Sequence, residues 1–328
     1  MHQVFRAAAA CALILLAWPA ASQTPTPTPL RAWNPHPDGA PATEALRSFA
    51  AAVQAGTQGR YRIQFLPNAA IGEQALAVQM LKAGEIDVAG IDADPLSDTI
   101  PTLEAFHLPF LFSGAAHMFR HLDGPMGQRF TEKLKASGYV VLGWYNGGGS
   151  YFYCAEKPIT RQSDMAGLRV RVRNVEAHAE MVRLLGAVPV PMPDKEVLEA
   201  FRSGKIDCAE GTMVDYEAGA LYKAARYMLL DQHMISPEAL VVSTRLWDRM
   251  APEDQRAFLD AGKTSALLMR RLWEQRMSAA RTALTKEGVQ FSPVADFSPY
   301  VRRMAPLYKK YTAHPDVRGD LLTIISEQ

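Results

Sequence analysis

The sequence is poor in cysteine, has no excess of either charge, and lacks any apolar run of bilayer length. Its 35 Lys and Arg residues nearly balance its 34 Asp and Glu residues, which leaves a net charge of +1. Nothing in that balance indicates binding to nucleic acid or to an anionic membrane surface. The longest apolar run, residues 7–18, is shorter than the ~20 residues that a transmembrane helix needs. We therefore expect a soluble mature protein.

The N-terminal region has the plan of a secretory signal peptide: a positive start, the apolar run, and small residues at positions 20–22. We predict a signal peptide over residues 1–22 and a periplasmic mature protein. Residues 23–29 alternate Thr with Pro. Because proline restricts φ and removes a hydrogen-bond donor, they predict an extended tether, with the fold beginning near Leu30.

Only Cys154 and Cys208 remain after the predicted cleavage. An exported protein can form a disulfide, but the sequence does not supply the geometry that a disulfide requires. We expect two unpaired cysteines.

A nine-residue pattern occurs twice, as LKAGEIDVA at 81–89 and as FRSGKIDCA at 201–209. In both copies a helical pattern ends at a glycine, and a short apolar strand follows. Another strand, ending before or at a proline, precedes each helix. Alternating strands and helices predict parallel βαβ units and an α/β fold with two similar lobes. Such sheets bind ligands beyond the carboxyl ends of their strands, where the copies carry Asp92 and Glu210.

Residues 252–286 carry apolar side chains at helical spacing. A helix of that length would be roughly 50 Å long at ~1.5 Å per residue. It is long enough to run across both lobes.

The segment LRVRVR at 168–173 alternates with period two, which places its three arginines on one face of a strand. We expect Arg171 to face a cleft, where guanidinium binds carboxylate well, and Arg169 and Arg173 to be solvated. His117 and His121 are four residues apart, but without a third ligand we expect solvated surface rather than a metal site. The run Gly147–Ser150 is neither a nucleophile elbow nor a phosphate loop.

Five further segments occur in a specific order: PNAAIGE at 67–73, LPFLF at 108–112, MAGLRVRV at 165–172, PMPDKEV at 191–197 and IDCAE at 206–210. With these, the chain resembles the DctP-type binding proteins of TRAP transporters from about Leu30 to its end. The resemblance implies a two-lobed periplasmic binding protein fold with a long helix spanning both lobes. It also implies a small organic anion as ligand, the membrane subunits of a transporter as partners, no cofactor and no enzymatic activity. We expect a monomer.

The resemblance also assigns roles to individual residues. The family's carboxylate-binding arginine falls on Arg171, and Asp92 and Glu210 fall on positions near the ligand, although Gly211 replaces the asparagine that often follows the acid.

A subgroup that looks like uronate binders adds further candidate ligand contacts: His36, Asp38, Tyr216, His233 and Glu238. Asn146 and Ser150, on either side of the glycine run, are candidates as well. In that subgroup a second arginine follows the glycine run, where this chain has Ser150. The pocket thereby loses a fixed cation, which puts a uronate ligand in question. Hydroxyl or stacking contacts from Tyr145, Tyr151 and Tyr153 are an alternative, and so is a place for these tyrosines in the aromatic core.

We assign residues 30–148 and 237–276 to lobe I, and residues 149–236 and 277–328 to lobe II. Two other functions remain open at this point: a periplasmic enzyme acting on sugar acids in the same cleft, and a sensor that presents its ligand-bound form to a receptor. The sequence does not identify the ligand.

Overall fold

A computed structural model describes residues 26–66, 71–72 and 74–327. The predicted signal peptide lies outside the described residues. The strands are β1 (Thr28–Trp33), β2 (Tyr61–Leu66), β3 (Val88–Asp92), β4 (Tyr139–Cys154), β5 (Arg169–Val172), β6 (Val188–Pro191), β7 (Cys208–Thr212), β8 (Tyr227–Leu230), β9 (Met234–Ser243) and β10 (Gln290–Pro293). The α-helices are α1 (Pro41–Gly56), α2 (Gln74–Ala83), α3 (Pro101–Ala105), α4 (Ala115–Leu122), α5 (Pro125–Ala136), α6 (Glu176–Leu184), α7 (Val197–Arg202), α8 (Met213–Ala218), α9 (Thr244–Trp247), α10 (Pro252–Lys286), α11 (Ser298–Arg303), α12 (Ala305–Tyr311) and α13 (Pro315–Ser326).

The internal repeat corresponds to a repeated topology. Strand β1 is parallel to both β2 and β3 and lies between them, and β5 is parallel to both β6 and β7 and lies between them. The turn glycines of the two copies, Gly84 and Gly204, have φ values of +76° and +67°, a region that favours glycine. The predicted parallel βαβ units are therefore confirmed in both lobes.

Two long strands join the lobes. Strands β4 and β9 run antiparallel along each other; β9 also pairs with β3 of lobe I, and the far end of β4 pairs with β7 of lobe II. The register of β4 against β9 shifts between Asn146 and Gly149, within the glycine run. Such irregularities bend a strand, and this one lies where the chain passes between the lobes.

Each lobe has apolar cores on the two faces of its part of the sheet. In lobe I, Trp33 and Phe106 belong to one core, and Phe49 and Phe258 to the other. Helix α10 contributes Phe258 and Met269 to lobe I and Ala280 and Leu284 to lobe II. This confirms the prediction of a long helix spanning both lobes.

The structure differs from the prediction at both ends of the fold. Strand β1 begins at Thr28, inside the predicted tether, and Thr28 and Pro29 pair with β2. Pro29 is tolerated because β3 pairs with β1 only from Ala32 onward, so no ladder donor is needed there. At the other end, α13 packs on lobe I rather than lobe II, because Leu321 and Ile324 bury their side chains in the core of Phe106.

The expectation of two unpaired cysteines is wrong. Cys154 and Cys208 occupy opposite positions on β4 and β7 and form a disulfide. Sequence reasoning missed it because 54 residues separate the two cysteines, and only the β4–β7 pairing brings them together.

Candidate functional site

Three of the predicted site residues meet at the edge of lobe I. Asp92 and Glu238 are opposite each other on the antiparallel strands β3 and β9, so their side chains share one face of the sheet. His36 reaches the same place from the loop after β1, and its Nε2 lies 3.0 Å from Oε1 of Glu238. The other carboxylate oxygen of Glu238 is buried and has no hydrogen-bond partner among the described residues.

Electrostatics in this corner favour a charged histidine. The neighbouring Glu238 carboxylate raises the pKa of His36 to about 9, against a smaller opposing effect of burial. Burial and the nearby charge of Glu238 also raise the pKa of Asp92. The amide of Gln74, a residue that the sequence analysis did not single out, holds Asp92 in place with its Nε2 2.6 Å from Oδ2.

Arg171 lies on the facing wall, in lobe II. Its Nε and Nη2 donate to the carbonyl oxygen of Met192 at 3.0 and 2.8 Å, and its Nη1 donates to the carbonyl oxygen of Glu210 at 3.4 Å. Nη2 also lies 2.7 Å from Oδ1 of Asp194, whose side chain is 77% exposed. The guanidinium is thus positioned by backbone carbonyls and carries a displaceable carboxylate.

A cavity of about 470 Å³ opens beside Arg171 and is also lined by Arg173, Asn174 and the segment 191–194. Arg173, which we expected to be solvated without a role, follows β5 and points its exposed side chain into this cavity. The period-two alternation that selected Arg171 already placed Arg173 on the same face. The alternation therefore identified the correct face of the strand, but it could not show whether that face borders a cleft or open solvent.

A second cavity, of about 350 Å³, lies between Phe112, Leu230, Asp231 and Phe297. None of the described residues that line it has a cationic side chain. It is therefore a poor match for an organic anion.

Behind Arg171, Glu210 is fully buried in a network of ionisable groups. Its Oε1 accepts from the backbone N–H of Arg173 at 3.2 Å and lies 3.0 Å from Nδ1 of His178. Its Oε2 lies 3.9 Å from Nε2 of His233, whose Nδ1 is 2.7 Å from Asp231. Burial alone would raise the pKa of Glu210, but the two histidines hold it well below its usual range.

Glu210 and His233 are therefore not ligand contacts as predicted. Both side chains have no exposed surface, and His233 stacks on Phe152 with ring centroids 4.2 Å apart. They support the wall that carries Arg171 and Arg173. A polar residue at the carboxyl end of a strand does not by itself show whether it faces the cleft or lies beneath it.

This network predicts a pH dependence of stability. Burial would lower the pKa of His233, but Asp231 and Glu210 raise it from 6.5 to about 9. The folded protein therefore binds a proton more tightly than the unfolded chain does. The stabilisation, up to about 3 kcal/mol, is fully present below pH 6.5 and is lost as the pH rises through about 9.

Urea unfolding at pH 5.5, 7 and 9 tests this. The free energy of unfolding should fall more between pH 5.5 and 9 for the parent than for His233→Gln. Parallel curves for the two proteins would contradict a raised pKa at His233.

The other predicted contacts are not brought to this cleft. Asp38 is exposed and pairs with Arg47 at 2.6 Å. Asn146 is buried and its Oδ1 accepts from the N–H of Gly148, so it shapes the irregular turn of β4. Tyr216 is buried in the lobe II core and donates to the carbonyl oxygen of Ala225. Ser150 is half-buried on β4, opposite Thr212 of β7.

The tyrosines of β4 belong to the aromatic core. Tyr145, Tyr151 and Tyr153 are all buried, and the hydroxyl of Tyr145 lies 2.5 Å from that of Ser265 in α10. The core alternative therefore holds for all three.

The prediction of solvated surface for His117 and His121 is wrong. Both are buried, and their Nε2 atoms lie 3.0 Å apart. The backbone N–H of Ser113 donates to Nδ1 of His117, so the proton of that ring is on Nε2, where a metal ion would need a lone pair. Over the described ranges, no group of three or more His, Cys, Asp or Glu side chains could hold a metal ion.

Comparison with known proteins shows the family of the chain. Residues 34–314 match the model of the DctP family, the bacterial extracellular solute-binding proteins of family 7. The chain belongs to this family. A solute-binding protein of Chromohalobacter salexigens is 32% identical over 298 residues, 90% of this chain and 88% of the relative.

Solved structures of TRAP periplasmic solute-binding proteins share the fold. The protein of Roseobacter denitrificans with bound β-D-glucuronate is 34% identical, with a TM-score of 0.81 over 90% of this chain and 99% of that one. The protein of Sulfitobacter with bound β-D-galacturonate is 30% identical, with a TM-score of 0.81 over 92% and 100%. The two-lobed α/β fold expected for this DctP-family chain is confirmed. Within the residues described, no helix is both long and apolar enough to cross a membrane.

Proposed function

We propose that this protein is the periplasmic solute-binding subunit of a TRAP transporter and that its ligand is a monocarboxylic sugar acid such as a hexuronate. The observation that carries the proposal is a cavity of lobe II lined by two arginines, one of which also feels the charge of Asp92 in lobe I. Arg171 and Arg173 line the cavity on lobe II, and Asp92 and Glu238 lie together on lobe I. A polyhydroxylated carboxylate has the complementary groups.

The lobe I wall suits hydroxyls rather than a second carboxylate. Asp92 and Glu238 would repel an anion, whereas each can accept hydrogen bonds from sugar hydroxyls. His36, held in its charged form by Glu238, adds a donor to the same corner. Structural relatives with bound glucuronate and galacturonate support the same chemical class. This support outweighs the argument against a uronate that Ser150 alone provides.

Capture would proceed by closure of the lobes about the crossing strands β4 and β9, as in other two-domain hinge motions. The closed form would then be presented to the membrane subunits. A sensor protein that presents its ligand-bound form to a receptor would have the same cleft. Uptake assays in cells that contain or lack the transporter subunits distinguish a transport role from a sensing role.

A melting experiment tests the proposal. D-glucuronate and D-galacturonate at about a hundred times their dissociation constants should raise the free energy of unfolding by ~2.7 kcal/mol. For a chain of about 300 residues that corresponds to roughly 4–5 °C in melting temperature. Glucose and galactose, which lack the carboxylate, are the matched controls.

The recovered ligand should be chemically unchanged, which mass spectrometry of the incubated mixture checks. Conversion of the sugar acid would favour the enzyme alternative. Equal shifts with the neutral sugars, or none with any sugar acid, would contradict the proposal.

A further inference from the structure

The donors of Arg171 are largely occupied. A guanidinium has five N–H groups, and three of them donate to the carbonyl oxygens of Met192 and Glu210. The carboxylate of Asp194 lies against Nη2 at 2.7 Å. A ligand carboxylate can approach Arg171 fully only if Asp194 leaves. Before a ligand binds, the positive charge of Arg171 is therefore already partly neutralised by Asp194.

Arg173, in contrast, has an anchored backbone and a guanidinium whose donors are unoccupied by the described residues. Its backbone is held on both sides: its N–H donates to Glu210 Oε1 at 3.2 Å, and its carbonyl oxygen accepts from the N–H of Val175 at 2.8 Å. Its guanidinium makes no hydrogen bond or ion pair with the residues that the structure describes. An anchored backbone with a free guanidinium in the cavity is the arrangement that a ligand-binding side chain requires.

The charges around Arg173 come from both walls of the cleft. Burial would lower its pKa, but the carboxylates of Glu210, Asp194, Asp215 and Asp92 together raise it. Asp92 belongs to lobe I and the other three to lobe II. The guanidinium thus lies deep enough between the lobes for both sets of carboxylates to influence it, although solvent still reaches it.

We propose that Arg173 is a second ligand-binding cation, which holds the carboxylate of the sugar acid together with Arg171. The two residues are separated by about 7 Å along the strand direction, two residues at ~3.3 Å each, so their side chains can converge on one carboxylate. Arg173 supplies free donors at once, and Arg171 supplies more after Asp194 is displaced. The uronate-binding subgroup has a second arginine at the position of Ser150 on β4. In this chain Arg173, which follows β5, supplies the second cation instead. This inference rests on the proposed function and specifies how that site holds its ligand.

Calorimetric titration with D-glucuronate tests the role of Arg173. Arg173→Ala should weaken binding by about tenfold to a hundredfold, since a hydrogen bond to a charged group contributes ~1.5–3 kcal/mol. Arg173→Lys should lie between parent and alanine variant, because it keeps the charge and loses the planar fork. Arg202→Ala, at an exposed arginine of the same lobe, is the control and should bind like the parent.

Two further readouts separate ligand binding from a structural role. The melting temperature of ligand-free Arg173→Ala should stay close to that of the parent, because the guanidinium makes no hydrogen bond or ion pair with the described residues and the carboxylates around it act only at longer range. The preference for glucuronate over glucose should fall in this variant by the same factor as the affinity for glucuronate. A structural defect would lower the melting temperature and leave this preference unchanged.

The outcomes distinguish this inference from the function on which it rests. If the parent binds no sugar acid, the proposed function fails. If the parent binds glucuronate and Arg173→Ala binds it within twofold, the function stands and the role of Arg173 is refuted.

Discussion

Arg171→Ala should weaken binding of D-glucuronate by roughly thirty- to several-thousand-fold. The ligand carboxylate is ionised at neutral pH, since carboxyl groups titrate near pH 4, and closure of the cleft removes water from it. Loss of one partner of a buried, hydrogen-bonded charge pair costs ~2–5 kcal/mol, and each factor of ten in affinity corresponds to ~1.4 kcal/mol. Isothermal titration measures the effect. Arg171→Lys should lie between the parent and the alanine variant, because lysine lacks the planar fork.

Arg169→Ala is the matched control on the same face of β5. Its guanidinium pairs with Asp207 at 2.6 Å and is 44% exposed, so its loss should leave binding within threefold of the parent. Because Arg171 also donates to two backbone carbonyls, circular dichroism and melting curves of each variant must accompany the titrations. Normal binding by a folded Arg171→Ala, with loss of binding in Arg169→Ala, would mean that the register of β5 is wrong.

The sequence predicted the repeated architecture well because the repeat is local. Gly84 and Gly204 each end a helix and precede a buried strand, and the positive φ that such a turn needs restricts the choice of residue. The spacing from strand to helix to glycine to strand is contained within about thirty residues. The topology then follows from the rule that parallel strands need a crossover.

The site was predicted less completely, because its geometry depends on which polar side chains near the strand ends face the cleft and which are buried behind it. The pairing of His36 with Glu238 joins residues 202 positions apart; the resemblance named each residue as a candidate contact but did not predict that they pair. Glu210 lies in the middle of β7 rather than at its carboxyl end, and its side chain is fully buried against His178. Periodicity identifies the face of a strand that a residue occupies, but not what covers that face.

Arg173 and His117 were both expected in solvent, because a charged or polar residue outside a motif is usually solvated. Arg173 is exposed as expected, but it also lines the cavity of about 470 Å³. His117 is instead buried beside His121. In each case the neighbours come from distant parts of the chain: Asp92 in lobe I for Arg173, and Glu327 at the C-terminal end for the two histidines.

Reduction of the Cys154–Cys208 disulfide should lower the free energy of unfolding by about 4 kcal/mol. The two cysteines close a loop of 54 residues, and the loss of chain entropy in the unfolded state grows with the length of the loop. For a chain of about 300 residues the melting temperature should fall by roughly 6 °C. Melting curves of the mature protein, with and without a reductant, measure the difference.

The double variant Cys154→Ala/Cys208→Ala is the control. Its melting temperature should match that of the reduced parent and should not respond to reductant. Alkylation of the denatured parent without reductant, followed by mass spectrometry, should label neither cysteine. Labelling of both would show that the disulfide does not form.

Reduction should change ligand affinity much less than stability, because hydrogen bonds and not the disulfide position the binding wall. Strand β4 pairs with β7 over five successive residue pairs, of which Cys154 and Cys208 are the last, at the end far from Ser150. The carbonyl oxygen of Glu210, which accepts from Arg171, lies inside this ladder. We therefore expect the dissociation constant for D-glucuronate to change by less than threefold at 20 °C in the double variant, as measured by titration. A larger loss would mean that the disulfide itself holds β7 in the position that Arg171 needs.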